Sequence, residues 1–171
     1  MGGKLSVTSK EGEGATFTLK IPMSVVAKED YSQRVELNEE DELLFTGHIL
    51  VAEDNKTNQM LIKILLEDYG LSYEIANDGL EAVSMFKEGK YDLILMDENM
   101  PNLNGIEAML QIKEYEQEIQ GSVTPIIALT ANALNSDREN FLKVGMDGFV
   151  AKPIETEVLE AEFSKYLKLQ E

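Results

Sequence analysis

The stretch Tyr91-Asp92-Leu93-Ile94-Leu95-Met96-Asp97 decides the fold. A short apolar run ends on an acid, and Glu98-Asn99-Met100-Pro101 breaks the chain directly after it. A continuous apolar run of this length, closed by turn residues, reads as a strand buried on both faces. Asp97 then stands at the carboxyl end of that strand, on the rim where open α/β sheets hold their ligands. His48-Ile49-Leu50-Val51-Ala52 is a second run of the same kind and ends on Glu53-Asp54. Two strand ends carrying three carboxylates point to a magnesium site with a carboxylate nucleophile.

Outward from these runs, strands and helices alternate. Strand-like segments fall at 48–52, 72–76, 92–96, 124–129 and 147–150, with helical periods between them and after the last. In the first helix Met60, Ile64 and Leu65 recur at helical spacing with Leu61 alongside, and Gly70 stops it. Asp78 is placed to cap a second helix carrying Ala82, Val83 and Phe86, which Gly89 ends. The third carries Ile106, Met109, Leu110 and Ile112, the fourth Leu134, Phe141 and Leu142, and the last Val158, Leu159, Phe163 and Leu167. Methionines at helical spacing, such as Met60, Met85 and Met109, read as core fillers. Repeated βα units with short connections imply a parallel sheet covered on both faces by helices. Right-handed crossovers bring every strand's carboxyl end to one rim.

The polar residues of that rim form a set. Glu53 and Asp54 follow the first strand, and Asp97 ends the third. Thr130 ends the fourth, Ile126-Ile127-Ala128-Leu129, and Lys152 follows Phe149-Val150-Ala151 and precedes Pro153. Hard oxygen ligands suit Mg²⁺, which binds one or two carboxylates plus phosphate oxygens. Lys152 is placed to hold a phosphoryl oxygen as a point charge, and the Thr130 hydroxyl to hydrogen-bond another. Metal and lysine neutralise the transferring group, so that Asp97 can attack phosphorus.

Composition excludes several classes. The 171 residues are enough for one domain and an appendage, and the apolar fraction of 43% is ordinary for a globular protein. Acidic residues outnumber basic ones 32 to 15, a net charge of −17, and such a surface repels phosphate backbones, so no direct nucleic-acid partner is expected. There is no cysteine, which fits a reducing compartment and excludes disulfide and thiolate chemistry. No apolar run approaches the roughly 18 residues of a membrane span. Met1-Gly2-Gly3-Lys4 lacks the apolar core of a signal peptide.

Three segments are expected. Residues 1–22 read as a hairpin, with Leu5 and Val7 alternating with polar residues, Phe17, Leu19 and Ile21 doing the same, and Lys10-Glu11-Gly12-Glu13-Gly14 as the turn. Residues 23–46 read as an acidic linker, with Glu39-Glu40-Asp41-Glu42 and a short helical piece near Leu43-Leu44-Phe45. Residues 47–171 form the α/β domain.

That last segment resembles the receiver domain of two-component response regulators. The likeness rests on Ile49-Leu50-Val51-Ala52-Glu53-Asp54-Asn55, on Leu95-Met96-Asp97-Glu98-Asn99-Met100-Pro101 with Asn104-Gly105, on Ala128-Leu129-Thr130-Ala131, and on Gly145-Met146-Asp147-Gly148-Phe149-Val150-Ala151-Lys152-Pro153. The resemblance implies a (βα)5 doubly wound, five-stranded parallel sheet of flavodoxin-like order 2-1-3-4-5. It implies that Asp97 accepts phosphate from a phosphohistidine. Asp54, Asp97 and the main-chain carbonyl of Asn99 would ligate Mg²⁺, and Glu53 would do so through water. Thr130 and Phe149 would be the switch pair. Phe149 lacks a phenol, so no output passes through a tyrosine hydroxyl there. The Lys152–Pro153 bond is commonly cis in the family.

The hairpin, Met1 to Ser9 followed by Gly12 to Pro22, resembles the closing strands of a histidine-kinase ATP-binding domain. Together the two likenesses imply the tail of a cytoplasmic hybrid histidine kinase, membrane-anchored elsewhere in its chain. The implied partners are a kinase phosphohistidine domain as donor and a histidine phosphotransfer protein as acceptor. The sole histidine, His48, starts a strand and is not on a dimerisation helix, so autophosphorylation from ATP is not expected. An isolated hairpin is marginal in water, and its edge favours pairing between chains as a homodimer.

Two other functions remain open at this point. An aspartyl-nucleophile phosphatase needs an acid two residues after the nucleophile, where this chain has Asn99. An interaction module without phosphorylation does not require the acidic set and Lys152. In either phosphoryl reading, Asn99 is placed to orient a hydrolytic water.

Overall fold

The computed structural model describes residues 3–10, 12, 14–22, 43–131 and 143–170. It contains two compact units, Met1–Asp41 and Glu42–Glu171. In the first, β1 (Lys4–Lys10) pairs antiparallel with β2 (Gly14–Lys20). Leu5 sits opposite Leu19 and Val7 opposite Phe17, so the hairpin has one apolar face, and all four side chains are exposed. Gly12 and Gly14 hold left-handed φ of +79° and +89° in the turn, a conformation that glycine adopts without a Cβ clash. Glu11 and Glu13 of the expected turn, and the acidic stretch 39–42, lie outside the described residues.

The second unit is built on a five-stranded parallel sheet. Its strands are β4 (His48–Ala52), β5 (Ser72–Ala76), β6 (Leu93–Asp97), β7 (Ile126–Thr130) and β8 (Gly148–Ala151), in the order β5-β4-β6-β7-β8. Numbered within the sheet, this is the 2-1-3-4-5 order of the doubly wound flavodoxin-like fold. The described helices are α1 (Lys56–Asp68), α2 (Gly79–Glu88), α3 (Gly105–Ile119) and α4 (Thr156–Tyr166). The expected helix carrying Leu134, Phe141 and Leu142 lies outside the described residues.

The period-two alternation of the strands divides the core into two clusters. Leu50, Ala52, Ile94, Met96, Ile126 and Ala128 face α2 and α3, meeting Ala82, Val83, Phe86, Ala108, Met109 and Ile112. Ile49, Val51, Leu93, Leu95, Ile127 and Leu129 face the other way, meeting Ile62 and Leu66 of α1 and Leu159 and Phe163 of α4. Burial on both faces is the reason these strands are continuous apolar runs.

Three expectations need correction. The buried face of α1 is Gln59, Ile62 and Leu66, while Met60, Leu61 and Ile64 are exposed and Leu65 only packs at the margin. Residues 60–66, Met-Leu-Ile-Lys-Ile-Leu-Leu, are apolar almost all round, so the sheet rather than the sequence selects the inward stripe. Leu110 of α3 is likewise exposed. Near Leu43-Leu44-Phe45 the chain is extended: β3 (Phe45–Thr46) pairs antiparallel with β9 (Lys168–Leu169). Phe45 is fully buried, with its ring 5.8 Å from both Tyr69 and Phe163 in edge-to-face contacts.

Candidate functional site

Each rim residue is delivered by a strand end. The strand β6 lies between β4 and β7, and its last residue is Asp97. Glu53 and Asp54 leave β4 immediately, Thr130 is the last residue of β7, and Lys152 follows β8. The register pairs Asp97 with Leu129 and Thr130 with Ala151, which aligns the four ends. Lys152 N–H donates to the Thr130 carbonyl at 2.8 Å, and the Lys152–Pro153 bond is cis. The start of α3 presses on the site from below: a Cβ on Gly105 would stand 2.2 Å from the Asp97 carbonyl oxygen, so only glycine fits.

Glu53, Asp54 and Asp97 each offer a carboxylate oxygen within 4.8 Å of the others. Glu53 is fully buried, Asp97 is buried and Asp54 is exposed. The Lys152 ammonium bridges the two buried acids, 2.7 Å from Glu53 Oε2 and 2.9 Å from Asp97 Oδ1. Glu53 Oε1 accepts from the Asn55 N–H at 3.1 Å and from Asn58 Nδ2 at 2.9 Å. Asn55 also caps α1 through its side chain, accepting from the Thr57 and Asn58 N–H groups. Gln59 Nε2 donates to the Glu53 carbonyl.

Burial pushes the Asp97 carboxyl above the usual carboxylate range; Lys152 pulls it down, nearby Glu53 pushes it up, and the Asn99 N–H, 3.4 Å from Asp97 Oδ1, pulls it down slightly. Burial disfavours the Lys152 ammonium, but Glu53 and Asp97 outweigh this and hold its pKa above the lysine norm. The residues fit a divalent cation. Mg²⁺ takes oxygen ligands at about 2.0–2.1 Å, so two opposed ligands span about 4.2 Å, close to the spread of this all-oxygen set.

The sequence-predicted residues fall as follows. Glu53, Asp54, Asp97 and Lys152 converge, and Asn99 reaches Asp97 through its main chain. Thr130 is on the rim and fully buried, and its hydroxyl donates to Glu98 Oε2 at 2.8 Å. Phe149 is half-buried and packs against the α2–α3 side of the core. Sequence reasoning missed Glu98 and the Asn55–Asn58 support of Glu53. Asn55 was detectable as a cap residue directly before a helix; the Glu98–Thr130 pair, 32 positions apart, leaves no local pattern.

An acid cluster with a lysine at the topological switch point of a 2-1-3-4-5 sheet defines a class of α/β rim sites, and sequence comparison identifies which one. The response regulator receiver domain family matches residues 49–164, and the chain belongs to that family. The aerobic respiration control sensor protein ArcB of Escherichia coli (strain K12) is 36% identical over 172 residues, covering 100% of this chain and 21% of ArcB. The hybrid signal transduction histidine kinase I of Dictyostelium discoideum is 45% identical over 129 residues, covering 70% of this chain and 7% of that protein. The chain thus spans about a fifth or less of the length of these relatives. Among solved structures, a co-crystal of the Saccharomyces cerevisiae histidine phosphotransfer protein Ypd1 with the receiver domain of Ssk1 matches at a TM-score of 0.68 and 31% identity, over 72% of this chain and 90% of that one. The receiver domain of the sensor histidine kinase PA1611 from Pseudomonas aeruginosa PAO1, with magnesium coordinated in its active site cleft, matches at 0.62 and 39% identity, over 71% and 97%. Among the described residues no helix is long and apolar enough to cross a membrane.

Proposed function

We propose that this chain is the phosphoacceptor receiver of a hybrid histidine kinase and that Asp97 carries the phosphoryl group. The observation that carries the reading is the convergence of three carboxylate-bearing residues and Lys152 on one sheet rim. An Asp97 carboxylate oxygen attacks phosphorus as the bond to the donor imidazole nitrogen breaks, and the imidazole leaves with that electron pair. Lys152 turns from the two acids to a phosphoryl oxygen, and the Thr130 hydroxyl takes another. Asp54, Asp97 and the Asn99 carbonyl would hold Mg²⁺ directly and Glu53 through water, and bound Mg²⁺ would neutralise charge on the phosphoryl oxygens. Phe149 follows Thr130 as its switch partner.

The donor is a kinase phosphohistidine and the next acceptor a histidine phosphotransfer protein; a receiver paired with such a protein occurs in a related structure at 31% identity. Residues 1–22 are the end of a kinase ATP-binding domain and a linker follows them; the receiver takes in β3 as well as residues 47–171, since Phe45 is buried in its core, and it acts in the cytoplasm. The likeness to ArcB, which runs through the hairpin, supports this division.

The test is incubation with Mg²⁺ and acetyl phosphate followed by intact mass measurement. One added phosphate, lost in Asp97→Asn, supports the proposal. Phosphate release without an adduct would favour a phosphatase, and neither adduct nor release an interaction module.

A further inference from the structure

We propose that Glu98 is a positioning residue that competes with the phosphoryl group for the single proton of the Thr130 hydroxyl. This deepens the receiver reading and rests on it. Thr130 is fully buried, and its Oγ1 donates to Glu98 Oε2 at 2.8 Å. A threonine hydroxyl has one proton to donate, and an ionised carboxylate only accepts. Thr130 therefore serves Glu98 or a phosphoryl oxygen on Asp97, and not both as donor.

The Glu98 main chain is fixed on two sides. Its N–H donates to the Leu129 carbonyl at 3.1 Å, and its carbonyl accepts from the Gly105 N–H at 3.0 Å. The backbone is thereby tied to the end of β7 and the start of α3, so within Glu98 it is the half-buried side chain that must move to release the hydroxyl. Glu98 is also the chain neighbour of Asp97. A phosphoryl group there repels the Glu98 carboxylate and offers Thr130 a strong charged acceptor. Both effects move the hydroxyl the same way. Glu98 sets how much of the phosphoryl group's binding free energy is spent in breaking the Thr130 contact, and so how readily the switch is thrown.

The test uses the full chain with saturating Mg²⁺ and beryllofluoride, a phosphoryl mimic, titrated calorimetrically. Glu98→Ala should tighten beryllofluoride binding about tenfold, the scale of a hydrogen bond to a charged group. The gain should persist when Thr130→Ser keeps the hydroxyl and shrink to the smaller charge-repulsion part when Thr130→Ala removes it. An equal gain in the Thr130→Ala background would mean charge repulsion alone and overturn the proposal. Unchanged or weaker binding by Glu98→Ala would also overturn it while leaving the receiver reading intact. Failure of the unmutated chain to bind beryllofluoride would instead remove the receiver reading, and this proposal with it.

Discussion

Replacing Lys152 with alanine removes the ammonium that lies 2.7 Å from Glu53 Oε2 and 2.9 Å from Asp97 Oδ1. The Glu53 side chain is 0% exposed and that of Asp97 9%, so two carboxylates are left buried. Removing one partner of a buried pair costs about 3–5 kcal/mol, because the remaining charge has no counterion. Glu53 keeps its hydrogen bonds from Asn55 and Asn58, and Lys152 is itself 20% exposed, which puts the expectation at the low end. The expected loss is about 3 kcal/mol near neutral pH without divalent ions. The pH dependence has a definite sign. Burial already holds the folded-state pKa of Asp97 above the ordinary carboxylate range, and loss of Lys152 raises it further. A group with a raised folded pKa adds stability at low pH and loses it as pH rises through that pKa. The penalty of Lys152→Ala is therefore largest at neutral pH and shrinks as acid protonates Asp97. Urea unfolding followed by far-UV circular dichroism, at neutral pH and again near pH 4.5 in chelator, measures both values. A penalty under about 1 kcal/mol at neutral pH, or the same penalty at both pH values, would refute the buried-triad reasoning.

Phe45→Ala should cost about 3–5 kcal/mol, since it empties a fully buried ring site in contact with Tyr69 and Phe163; thermal or urea unfolding checks this. Gly105→Ala should abolish or strongly slow Asp97 phosphorylation, because the added methyl would meet the Asp97 carbonyl oxygen at 2.2 Å; the acetyl phosphate mass assay reads it. Asn99→Met should lengthen the lifetime of the phosphorylated chain, as the exposed polar side chain two residues past Asp97 is removed from the path of a hydrolytic water; decay of the mass adduct with time measures this, and an unchanged lifetime excludes that role.

The rim was legible because its chemistry sits where apolar strands stop. Asp97, Glu53, Asp54, Thr130 and Lys152 each end or follow a run that two-sided burial makes continuous, so their convergence follows from the parallel topology. The cap at Asp78 and the stop at Gly89 were legible for a local reason, one side-chain acceptor and one helix end. The inward face of α1 was not, because the apolar residues 60–66 allow more than one stripe. The β3–β9 pairing joins residues more than a hundred positions apart in strands of two residues each, too short for any periodicity. The Glu98–Thr130 bond is illegible for the same reason: it depends on which side chains two neighbouring strand ends turn toward each other.

The most direct measurement locates the phosphoryl group on the chain. After reaction with acetyl phosphate and Mg²⁺, borohydride reduces an acyl phosphate to the alcohol, which tandem mass spectrometry of the digested protein reads as homoserine. The account predicts homoserine at position 97 and at no other acid. Homoserine at Asp54 or elsewhere, or none in a chain that carries added phosphate, would contradict it.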